Sequence, residues 1–116
     1  MPAALLLSAD LMFSSRVAAA AQTLGVPLAL VPQAADLPQK LGPDCRLVLI
    51  DLSAPGLDLA AAVTSARTVA PAARLVAYGA HVNEDALAAA TRAGCEVLTR
   101  GQFHKQYAEL LRDAAV

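Results

Sequence analysis

The sequence predicts an α/β domain built on a five-stranded parallel sheet in the order 2-1-3-4-5, with helices on both faces. Three observations lead there. Short apolar runs alternate five times with longer segments of helical spacing, and glycine or proline punctuates the joins. The central run, Leu47-Val48-Leu49-Ile50, is continuously apolar, as a strand covered on both faces must be. Connections between parallel strands are right-handed, so such an alternation winds into a sheet with helices above and below. At 116 residues the chain has the length of one domain, and residues 1–116 are read as a single unit.

The elements follow in order. Residues 3–7 form the first strand and 13–24 the first helix, with Ser14 or Ser15 as cap and Gly25 as stop. The second strand is 27–31. A short second helix covers 34–41 and ends at Gly42-Pro43, after which the third strand runs over 46–50 and closes on Asp51. Residues 57–69 give the third helix, Pro71 interrupts it, and 74–78 is the fourth strand. The fourth helix spans 83–93, capped by Asn83 or its predecessor and stopped by Gly94. Residues 96–99 make the last strand and 102–115 the closing helix.

Composition excludes several classes. Apolar residues are 57% of the chain, much of it alanine, yet no run approaches the roughly 20 residues a membrane-spanning helix requires, so no membrane association is expected. The N-terminus lacks the basic start and cleavage site of a secretory signal, which points to the cytoplasm. Net charge is −1 and the nine Lys and Arg residues are scattered, so nucleic acid is not an expected partner. Cys45 and Cys95 stand far apart without a CxxC or Cys/His cluster and read as small buried residues. There is no GxGxxG, Walker loop or GxSxG, and two Phe, two Tyr and no Trp offer little to sandwich a flavin.

The strongest local signal is Asp51, a carboxylate at the end of an apolar strand, followed by Pro55-Gly56 and Asp58. In a sheet of this order the crevice lies beyond the carboxyl ends of the first and third strands, so Ser8-Ala9-Asp10 and Asp51 share one rim. With the segment Ala93-Gly94-Cys95-Glu96-Val97-Leu98 and Arg100-Gly101-Gln102-Phe103 after it, the chain resembles the receiver domain of bacterial response regulators, a flavodoxin-like fold, over almost its whole length. The resemblance implies that Asp51 stands at the phosphoacceptor position. It also implies a magnesium site from acidic residues after the first strand, a hydroxyl ending the fourth strand, a lysine after the fifth and a rotating aromatic residue.

This chain departs from each of those. Asp10 is the one acidic residue of its triplet, so magnesium held by Asp10 and Asp51 is expected to be weak or absent. Gly79 takes the hydroxyl's place, with Ala80 after it, and offers only a backbone N–H to an anion. Arg100 replaces the lysine one residue early, exchanging a compact ammonium for a planar fork. Val97 stands for the aromatic residue. The chain therefore reads as an atypical or pseudo-receiver, a signalling module acting by protein contact.

Alternatives accompany each residue. Asp51 is a phosphorylatable group or a rim carboxylate that pairs with Arg100 or caps a turn; Arg100 is that ion-pair partner or solvated; Asp10 is a metal ligand or a turn and cap residue. His81 lies in a loop near the rim, and His104 begins the last helix in a solvated or partner-facing position. Leu11-Met12-Phe13 covers the rim or meets a partner. The resemblance implies a histidine kinase or downstream regulator as partner and a homodimer through the face from the fourth to the fifth helix, with Ala86, Ala90, His104 and Tyr107 as contact candidates. The competing readings are an enzyme or small-molecule binder on the same fold and a constitutive scaffold subunit that is not phosphorylated.

Overall fold

Apolar side chains at successive positions give the inner strands two buried faces, and the sheet is assembled around them. A computed structural model describes residues 2–115. Strands β1 (Ala4–Leu7), β2 (Leu28–Val31), β3 (Leu47–Asp51), β4 (Arg74–Gly79) and β5 (Glu96–Thr99) form one parallel sheet in the order β2-β1-β3-β4-β5. The helices are α1 (Leu11–Leu24), α2 (Leu37–Lys40), α3 (Leu59–Val69), α4 (Glu84–Arg92) and α5 (Arg100–Ala114). The predicted architecture and strand order are those of the structure.

One core layer packs Leu5, Leu7, Val48, Ile50, Leu75 and Ala77 against Leu37, Ala62, Val63, Ala66 and Ala90 from α2, α3 and α4. The other packs Leu6, Leu47, Leu49, Val76 and Tyr78 against Phe13, Val17, Phe103 and Leu111 from α1 and α5. Each fully buried Leu or Ile contributes about 1.5–3 kcal/mol, and that drives the winding. Among the described residues no helix is long and apolar enough to cross a membrane.

Local chemistry moved several boundaries. Helix α1 starts at Leu11, not Phe13, because Asp10 is its cap: the carboxylate accepts from the Phe13 N–H. Ser14 is buried and Ser15 bonds back to the Leu11 carbonyl, so neither caps. The expected second helix is a 3₁₀ turn, Ala34–Asp36, followed by one α turn. Pro38 explains the break, since it has no N–H to return to the Ala34 carbonyl. Helix α3 begins at Leu59, capped by Asp58, and α5 begins at Arg100 through a capping box of Thr99 and Gln102. The glycine stops hold: Gly25 and Gly94 both have positive φ after α1 and α4.

Candidate functional site

Asp51 ends β3 with Ile50 paired to Leu7 on one side and its own Cα paired to Tyr78 on the other. That register brings Ser8, the residue after β1, against the carboxylate. Asp51 is only 4% exposed and Ser8 3%. The Ser8 hydroxyl donates to Asp51 Oδ2 at 2.8 Å. Oδ1 accepts from the Ser53 backbone N–H at 2.9 Å and from the Ser53 hydroxyl at 2.6 Å. The first of these is an Asx turn, a carboxylate bonding the chain two residues on. Both oxygens of a buried carboxylate are thus satisfied by neutral donors, which makes its burial tolerable.

Arg100 closes the arrangement from outside. Its Nη2 lies 4.0 Å from Asp51 Oδ1 and donates to Ser53 Oγ at 3.2 Å, so the guanidinium reaches Asp51 mainly through the serine. Of the two alternatives for Arg100, the structure places it beside Asp51. Asp10 lies at the same rim, but its Oδ1 caps α1 while its backbone N–H donates to Ser8 Oγ at 3.2 Å.

Beneath the carboxylate sits Tyr78, 1% exposed, its ring stacked on Phe103 at 3.9 Å and edge-on to Phe13. Its hydroxyl is buried beside Ser8 without a hydrogen bond of ordinary geometry. Burial, reinforced by the charge of Asp51, pushes the phenol well above its ordinary range. Gly79 is buried next to it. A methyl built there would rest in ordinary contact with Leu52 at 3.4 Å and Leu87 at 3.7 Å, so the position has apolar neighbours and no hydroxyl of its own. Ala80 is half-buried and His81 exposed in the turn that follows. Val97 packs half-buried against the α4 side of the core.

Among the described residues no three His, Cys, Asp or Glu side chains are placed to share a cation. Magnesium needs several oxygen ligands in near-octahedral order. Here one carboxylate caps a helix and the other faces hydroxyl hydrogens, so the donor set does not fit the centre that the resemblance implies. Beside the cage runs a groove of about 620 Å³ lined by Ala9, Leu11, Pro32, Gln33, Ala34, Ala35, Pro55 and Gly56, with no titratable side chain in its wall. Leu11 and Met12 stand 73% and 77% exposed on the first turn of α1.

The contact candidates divide. Ala86 is half-buried on α4. Ala90 is corrected: it is 0% exposed, because it lies on the side of α4 that packs into the core. His104 and Tyr107 belong to the α1 side of α5, where His104 stacks on Phe13 at 4.2 Å and Tyr107 meets the same ring edge-on. The sequence reading missed Ser53 and Tyr78. The first had a local signal in the Asp-x-Ser spacing; the second is defined by strand register.

No family model and no curated protein matches the chain. Solved structures do. The receiver domain of NtrX from Brucella abortus superposes with a TM-score of 0.72 at 19% identity, covering 96% of each chain. The beryllofluoride-activated NtrC4 receiver domain dimer gives 0.72 at 14% identity, over 96% of this chain and 97% of that one. A putative pilus assembly protein (cpaE) from Burkholderia thailandensis gives 0.63 at 24% identity, over 99% and 98%. The fold of this chain is that of response-regulator receiver domains.

Proposed function

We propose that the chain is a receiver-like signalling module that works in the cytoplasm by protein contact and in which Asp51, though at the acceptor position, is held as an internal structural carboxylate. One observation supports this above the rest: both Asp51 oxygens already accept hydrogen bonds from Ser8 and Ser53. A phosphoryl group on Asp51 would displace those donors in a pocket where the side chain is almost fully buried. The lack of a side-chain hydroxyl at Gly79 and the poor oxygen set for magnesium point the same way. The partner is a histidine kinase or downstream regulator, and the α4 to α5 face, including the half-buried Ala86, is the surface for it or for a second copy.

The test uses acetyl phosphate with millimolar magnesium, and separately beryllofluoride with magnesium. The expected result is no hydroxylamine-labile adduct and no beryllofluoride-dependent change in the amide NMR spectrum. A hydroxylamine-labile adduct that disappears in Asp51→Asn overturns the reading.

The likeness to the pilus assembly protein supports a second version, a constitutive subunit of an assembly, because that chain has the highest identity of the three compared. Both versions share a module that acts by contact with other proteins. They part on whether partner binding responds to any signal at the Asp51 rim.

A further inference from the structure

Ser53, in the turn after β3, is an exposed residue at this rim, and its hydroxyl lies between a carboxylate and a guanidinium. Its hydroxyl donates to Asp51 Oδ1 at 2.6 Å, the distance of a charge-assisted hydroxyl–carboxylate bond. An ionised carboxylate only accepts, so the Ser53 proton points at Oδ1. On the other side Arg100 Nη2 reaches Ser53 Oγ at 3.2 Å, and the Arg100 side chain is 47% exposed, leaving guanidinium N–H groups open to solvent. A planar guanidinium matches phosphoryl oxygens two at a time. The oxygen thus has a base on one side and a cation on the other, while the carboxylate that would compete with it is buried.

We propose that Ser53 is a phosphoryl-acceptor site that takes its phosphoryl group from a small acyl phosphate, with Asp51 as general base and Arg100 as the phosphoryl clamp. This rests on the reading that Asp51 is not itself the acceptor. Ser53 Oγ attacks phosphorus, the bond from phosphorus to the acyl oxygen breaks, and the carboxylate leaves with its electron pair. The Ser53 proton passes to Asp51 Oδ1 and from there to solvent. Arg100 supplies the positive charge that a cation would otherwise provide at the phosphoryl oxygens. The product carries roughly −1.5 to −2 charge beside Asp51. Arg100 then binds the phosphate and Asp51 loses its Ser53 hydroxyl donor, so the modification rearranges the rim that a partner would read.

The whole chain is incubated with acetyl phosphate in EDTA and followed by intact mass, then by fragmentation and hydroxylamine treatment. The expected result is one phosphoryl group on Ser53 that survives hydroxylamine, since a phosphate ester resists it and an acyl phosphate on Asp51 does not. Ser53→Ala abolishes the gain and Ser53→Thr keeps it. Asp51→Asn and Arg100→Ala each slow it about 100-fold, with thermal melts confirming that they fold. No mass gain in the unaltered chain, an adduct that hydroxylamine removes, or one that persists in Ser53→Ala overturns the proposal. A hydroxylamine-labile adduct would also sink the silent-Asp51 reading; absence of any adduct would leave that reading standing and remove only this one.

Discussion

Four side chains from three stretches, Ser8, Asp51 with Ser53, and Tyr78, settle the character of the rim, and Ser8 and Tyr78 each make a separate prediction. Ser8→Ala leaves a buried carboxylate oxygen without its hydroxyl donor, so unfolding by urea should show a loss of about 2 kcal/mol. Tyr78→Phe works in the opposite sense. Its hydroxyl is buried without a hydrogen bond of ordinary geometry, so removing it should raise stability by about 1 kcal/mol. Tyr78 also carries a pH signature. Its phenol is raised by burial first and by the charge of Asp51 second, so the native chain holds the proton after the unfolded chain begins to lose it near pH 10. Stability contributed by the neutral phenol is complete below that value and declines as pH rises towards the native phenol's own ionisation. Alkaline melts should show this decline in the parent chain and a shallower one in Tyr78→Phe.

At the level of elements, the caps govern where helices begin and how they leave the rim. Asp10→Ala removes the α1 cap and should cost about 1 kcal/mol in thermal or urea unfolding, with no change in the Ser8–Asp51 contact. The end of α4 is held differently. Gly94 has φ +91°, and Arg67 donates to the Ala93 and Gly94 carbonyls, so a Cβ at Gly94 would lie 2.6 Å from Arg67 Nη2. Gly94→Ala should therefore cost about 1–2 kcal/mol, through both the left-handed backbone and the displaced arginine. Strands β4 and β5 are tied at their amino ends by Arg74, which grips Glu96 in a bidentate pair and reaches Asp113 of α5. The hydrogen bonds from Arg74 hold the Glu96 carboxyl below its usual range. Its contribution is present above the ordinary glutamate value and is lost as pH falls through the lowered one. The pair is exposed, so Glu96→Gln should cost under about 1 kcal/mol and flatten the acid limb of the melt.

Across the whole molecule, the two core layers share one sheet and have no separable part, so unfolding should be a single cooperative transition. Millimolar magnesium should leave its midpoint unchanged; a rise that Asp51→Asn abolishes would mean a cation site at the rim after all. Much of this architecture is legible in the sequence. Hydrophobic period separated strands from helices, Gly25 and Gly94 marked two helix ends, and Asp51 could be placed at the rim because it terminates the most apolar run. These are short-range properties, carried by residues a few positions apart. Even some missed boundaries had local causes, such as Pro38 splitting the second helix and Thr99-x-x-Gln102 starting the last. The chemistry of the rim was a different matter. That Asp51 is held by Ser8, underlain by Tyr78 and backed by Arg100 depends on contacts spanning 43, 27 and 49 positions, set by strand register and helix placement. The order of residues along the chain thus determined the wound sheet and the place of its carboxylate. Only the packed structure decided which groups surround that carboxylate, because side chains distant in sequence meet there through the pairing of β1, β3 and β4.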